Sequence, residues 1–113
     1  MIKVELSGDE HSQLNATLME RLATELKNRS LTVNEDCSLK MLVVRHENSG
    51  FQMVAVEPSP VFYADMFLLD TKQNTLLRHE KGVSGSAHSD LQAVINLAGR
   101  LANLIWGGGS RNP

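Results

Sequence analysis

Chemistry in this chain would have to come from four histidines, one cysteine and a pair of aspartates set in an apolar stretch. Neutral imidazole accepts protons near pH 7 and binds metals, so His11, His46, His79 and His88 are the first residues to weigh. None of them stands at an HxH or HExxH spacing, so no single helix or strand presents paired nitrogens to a metal. His11 falls in the first turn of a predicted helix, His46 and His79 near strand ends, and His88 just before a helix cap. That distribution reads as separate surface histidines. Cys37 follows the acidic pair Glu35-Asp36. Negative charge nearby raises a thiol pKa, the wrong direction for a nucleophile. As the only cysteine it also excludes an internal disulfide and a cysteine-based zinc site. No cofactor is implied.

Asp65 interrupts an apolar run and Asp70 ends it. Hydrolysis by paired carboxylates needs a second acid across a cleft, and no spacing here specifies one. Asp70 opens Asp-Thr-Lys-Gln-Asn, which is good turn chemistry. Asp65 with His79 is the enzymatic alternative, in a site formed on dimerisation. Gly82-Val83-Ser84-Gly85-Ser86 partly matches a nucleophile elbow, but Ser86 stands where the second glycine belongs. It also precedes a helix without the Gly-Lys-Ser/Thr ending of a phosphate loop. It reads as a flexible connection. Ser84, Gly85, Ser86 and Ser89 form a candidate anion-binding loop at the start of that helix.

The elements that would carry these residues follow from periodicity. Ile2, Val4 and Leu6 alternate with Lys3 and Glu5, a strand pattern rather than the apolar core of a signal peptide. A strand opening at residue 1 suits a chain whose export signal has been removed. Ser7 with Glu10 fits a capping box for a helix over residues 9–28. Leu14, Leu18, Leu22 and Leu26 give that helix one apolar stripe, with Glu20, Thr24 and Lys27 opposite. Lys27-Asn28-Arg29 supplies late positive charge and a left-handed stop. Leu31-Thr32-Val33 is a short strand.

Residues 39–46 and 51–57 read as a strand pair joined by a turn at Asn48-Ser49-Gly50. Pro58-Ser59-Pro60 should interrupt pairing, since proline donates no ladder hydrogen bond. Residues 61–70 and 75–81 form the next hairpin, and 82–87 a loop. Ser89 caps a closing helix with a wide apolar face that includes Leu91, Val94, Ile95, Ala98, Leu101, Ala102 and Ile105. Gly99 within it is expected to permit close approach to a neighbouring element. One α+β domain over residues 1–106 results, with a flexible Gly-rich tail at 107–113. Its predicted form is a single mixed, mostly antiparallel sheet of four to five strands with two helices on one face, in the order β-α-β-β-β-β-α. The opposite face is expected to be partly wet.

Bulk properties exclude several classes. A chain of 113 residues builds a core without staples. Net charge is −2 and pI about 6.0, which gives no long-range pull on nucleic acid or anionic lipid. Aromatics at 4% leave little for base stacking. No apolar run reaches the ~18 residues of a membrane span.

Three segments resemble small bacterial envelope domains of the TolB amino-terminal, CsgG and LpoB-like group. They are Leu18-(x)3-Leu22-(x)3-Leu26 leading into Leu31-Thr32-Val33, Phe67-Leu68-Leu69-Asp70-Thr71-(x)3-Thr75-Leu76-Leu77, and Ala93-(x)4-Ala98-(x)2-Leu101-Ala102-(x)2-Ile105. The second has Gln73-Asn74 where that group has a turn glycine. The resemblance implies a non-catalytic, lipoprotein-like domain of the periplasm or envelope that binds another protein or itself. A cytoplasmic location is the alternative. The expected partner site is an unpaired strand edge at Val56, Pro58, Pro60 and Val61, where the prolines would protect against indiscriminate pairing.

Overall fold

The computed structural model describes residues 2–7, 12–46, 50–54 and 57–110, and at 50–54, 57 and 106–110 the backbone alone. Its elements are β1 (Lys3–Ser7), α1 (Gln13–Asn28), β2 (Leu39–Arg45), β3 (Gly50–Val54), β4 (Glu57–Asp70), β5 (Thr75–Ser86) and α2 (Asp90–Ser110). This is the predicted α+β order, with five strands in one mixed sheet.

β1 pairs with β2 in parallel, and every other pairing is antiparallel. β4 is the central strand. Val61 pairs with Ser86 of β5 and also with Gly50 of β3, so β3 and β5 lie on opposite edges of β4. β5 also faces residues that β2 faces, which puts β2 and β3 end to end along the same edge. The expected β2–β3 hairpin therefore does not form, because both segments pair with β4. The turn assigned to it, Asn48-Ser49-Gly50, lies largely outside the described residues.

β4 runs straight through Pro58-Ser59-Pro60. The carbonyl of Tyr63 accepts from His46 on the β2 edge, while that of Pro60 accepts from Ala87 on the β5 edge. Strand groups alternate between edges, so the missing N–H groups of Pro58 and Pro60 point away from β3. The β3 pairing loses nothing to them, and β5 ends at Ser86 before the Pro58 position. Proline's tolerance on an open edge explains the uninterrupted strand.

Both helices cover one face. Their buried leucines and alanines join Ile2, Val4, Met41, Val43, Phe62, Ala64 and Met66 in a single core. Leu18, Leu22 and Leu26 of the α1 stripe are fully buried, as are Ala93, Val94, Leu97, Ala98, Leu101 and Ala102 of α2. Leu91 is the exception on the predicted α2 face, at 41% exposure.

Ser7 ends β1 opposite Val44 and so does not cap α1. Ser12 does, its side chain accepting from the Asn15 N–H at 3.4 Å. The stop falls on Ser30, which is left-handed at φ 66°. Ser30 N–H bonds the Lys27 carbonyl and Leu31 N–H bonds that of Leu26, a Schellman closure that seats Leu31 against the core. At the same end of the sheet Asp70 accepts from the N–H groups of Lys72 and Gln73, as its turn chemistry predicts.

The largest departure is at residues 82–86, which are strand rather than loop. A Cβ on Gly85 would stand 2.4 Å from the Leu97 nitrogen and 2.6 Å from the Ala93 carbonyl oxygen. The small residues are there so that α2 can lie directly on β5. Gly99 was the expected point of close approach, yet a Cβ there meets open space.

Candidate functional site

Alternation sends Leu42, Val44, Tyr63, Asp65, Phe67 and Leu69 to the face opposite the helices. All six are half-buried, and among the described residues no helix packs over them. Leu42 stands across from Phe67, and Leu69 across from Leu76. An apolar sheet face thus remains at the surface.

A polar node interrupts it. Lys81 and Gly82 of β5 both fall opposite Asp65, a bulge with Gly82 at φ +65°. The bulge frees the Gly82 N–H, and Asp65 Oδ1 accepts it at 2.9 Å. The same oxygen accepts from His46 Nε2 at 3.0 Å, since an ionised carboxylate can only accept. The Gly82 N–H, and secondarily the His46 ring, hold the Asp65 carboxyl below its usual range despite partial burial. The Tyr63 ring stacks near His46 at 6.2 Å between centroids. Asp65 therefore ties the end of β2 to β4 and to the β5 bulge.

His79 was the partner weighed for Asp65. It stacks on Phe67 instead, with 4.3 Å between ring centroids. The His46–Asp65 pair went unforeseen because 18 residues separate the two in sequence. The one available signal was Asp65 itself, a carboxylate in the middle of an apolar predicted strand. His88 is exposed ahead of α2, Cys37 is half-buried, and His11 lies outside the described residues. Among the described residues no three His, Cys, Asp or Glu side chains gather closely enough to hold a metal.

The four residues of the expected partner edge separate. Val56 lies outside the described residues, Pro58 is exposed, and Pro60 and Val61 are buried. Val61 is only 4% exposed, so it serves burial rather than presentation. Of the candidate anion loop, Ser84, Gly85 and Ser86 are paired in β5 with Tyr63, Phe62 and Val61. Ser89 caps α2, its Oγ accepting from the Gln92 N–H at 3.2 Å.

Among the described residues, β1 beyond the Ile2–Val33 bridge and β5 each leave an edge of the sheet open. On β1, the Ile2 N–H and carbonyl both face outward, bonding Thr32 and Asn34. By alternation Val4 and Leu6 face the same way, and among the described residues no backbone group pairs with theirs. A cavity of about 360 Å³ lies there between β1 and α1, with Val4, Leu6, Ala16 and Met19 as apolar lining. On β5, Leu76 and Leu77 are 54% and 53% exposed.

No protein-family model matches the chain, and no curated protein matches its sequence. Solved structures do share its fold. A Caulobacter crescentus protein assigned as a lipoprotein aligns with a TM-score of 0.63 at 16% identity, over 99% of this chain and 93% of its own. The PelC dodecamer from Paraburkholderia phytofirmans gives 0.59 at 14%, over 89% and 85%. A minor lipoprotein from Acinetobacter baumannii gives 0.50 at 14%, over 98% and 92%. The fold is thus one found among bacterial lipoproteins. The narrower TolB, CsgG and LpoB-like grouping is not among these matches.

Proposed function

We propose that this chain is a non-enzymatic assembly domain of an exported bacterial envelope protein, and that it associates with copies of itself. The apolar sheet face of Leu42, Val44, Phe67 and Leu69 carries this reading, because apolar surface left contiguous on a folded domain is the mark of a protein-binding site. The polar groups on that face support it from the other side. Asp65 and His46 satisfy each other and a backbone bulge, and their geometry is that of a structural tie. Among proteins of this fold, PelC forms a dodecamer, and two others are described as lipoproteins. The envelope location rests on that likeness.

Sedimentation equilibrium across a wide concentration range tests the reading. The expected result is a species larger than the 12.5 kDa monomer. A monomer at every concentration would overturn self-association.

A further inference from the structure

We infer that the free edge of β1 takes up an extended, basic segment of a partner protein as an added strand, with one apolar side chain of that segment entering the groove beside α1. This goes beyond the sheet-face reading and names a second, separate surface. The groove is the cavity of about 360 Å³, within the range of about 300–1,000 Å³ common to ligand sites. Four consecutive residues of β1, from Lys3 to Leu6, line it. Alternation sends the side chains of Val4 and Leu6 to the helix face and those of Lys3 and Glu5 to the other. Only the backbone edge of the strand is common to all four, so the groove runs along that edge. α1 supplies Ala16 and Met19 on the helix side.

The chain itself shows what fits there. Ile2 N–H donates to the Thr32 carbonyl at 2.9 Å, and the Ile2 carbonyl accepts from the Asn34 N–H at 2.8 Å. Val33 is thus bridged to Ile2 in parallel and packs against the core. After Asn34 the chain turns away, with Cys37 N–H donating back to the Asn34 carbonyl at 3.3 Å. The outward groups of Val4 and Leu6, next in the same row, have no backbone partner among the described residues. A segment laid along them repeats what Thr32 to Asn34 do at Ile2, and its inward side chain falls beside Ala16 and Met19. A short strand bearing charges is also a common way to guard an edge, but guarding needs no groove alongside. β5, the other edge, is interrupted by two irregularities in its pairing, which make it the poorer acceptor.

Charge specifies the partner further. Glu35, 4.0 Å from Lys3, marks one end of the groove, and its side chain is 81% exposed. Glu5 is 47% exposed and Lys3 only 33%, so carboxylates dominate the rim. The segment that suits this edge has an apolar residue flanked by lysine or arginine. Its main chain supplies affinity and the groove selects the side chain.

A fluorescein-labelled peptide, Ser-Lys-Z-Lys-Ser with its ends blocked and Z as leucine, methionine or phenylalanine, probes the edge on the full chain by anisotropy. At least one of the three should bind saturably. Methylating the three central amide nitrogens removes the strand donors and should weaken binding about tenfold or more, the scale of one or two lost hydrogen bonds. Ala16→Phe, at an exposed position, should weaken it similarly by filling the groove, with an unchanged circular dichroism spectrum. Glutamate in place of both lysines should also weaken it. If no peptide binds, or if the methylated peptide or the Ala16→Phe variant binds as before, the edge is not a strand acceptor. Equal binding of the glutamate peptide would overturn the basic partner. A monomer in sedimentation would overturn the sheet-face reading and leave this one standing.

Discussion

Replacing Gly85 by alanine would place a methyl carbon within 2.6 Å of the Leu97 and Ala93 backbone of α2. Backbone cannot swing aside as a side chain can, so helix and strand must part. Overpacking of this kind costs roughly 1–3 kcal/mol or more. The expected outcome is a clear drop in urea midpoint for Gly85→Ala, beside a rise for Gly99→Ala, where a Cβ meets open space and alanine is favoured over glycine in a helix by about 1 kcal/mol. Asp65 makes a second prediction at this scale. Its folded pKa is held down by the Gly82 N–H, so its contribution is complete above the unfolded value of about 3.9 and fades as pH falls through the folded value. The stability of the unsubstituted chain should therefore fall more steeply below about pH 5 than that of Asp65→Asn, and the two should converge at the acid end. Parallel pH curves would show that the carboxylate has no folded-state preference.

The helices are held at the element scale by their stripes. Leu22 and Leu101 are fully buried near the centres of α1 and α2. Truncating either to alanine should destabilise by about 2–5 kcal/mol in chemical denaturation. A change under about 0.5 kcal/mol would place these leucines at the surface. α1 and α2 are also tied by Arg29, whose guanidinium donates to Asn103 Oδ1 at 2.6 and 3.1 Å and to Glu25 Oε1 at 2.7 Å. Arg29 in turn lowers the Glu25 pKa. These helices were legible because each stripe is written within one contiguous segment at helical spacing. The strands were legible less evenly. Residues 61–70 and the Asp70 turn are legible as strand and turn, whereas the prolines and the glycine-serine stretch at 82–86 have the composition of breaks and are strand. In both places composition alone gave the wrong answer, since what proline or glycine costs depends on which edge or which helix lies alongside.

On the scale of the whole molecule, the described residues cover the sheet on one side only. The uncovered side should bind an apolar dye in the native state, and Leu42→Lys with Phe67→Lys should lower that fluorescence while the circular dichroism spectrum is retained. Equal dye binding by the variant would mean that the apolar surface lies elsewhere. The overall architecture was readable in advance: one mixed sheet, two helices on one face, and the opposite face partly wet. The candidate site was much less so. Of the expected partner edge, Val61 is buried in the fold, and the leucines that stand exposed on β5 were assigned only to a hairpin.

By itself the sequence determined what depends on neighbours along the chain: the two amphipathic helices, the alternating strands and the turn at Asp70. Each of these is set by backbone geometry acting over a few residues. Only the tertiary structure decided which strands pair, why Gly85 rather than Gly99 must be small, and that Asp65 answers His46 and Gly82. Those outcomes join residues as far apart in the chain as Lys3 and Lys40, or His46 and Asp65. Their stability comes from the burial and hydrogen bonding of the whole arrangement, and no local pattern encodes that sum.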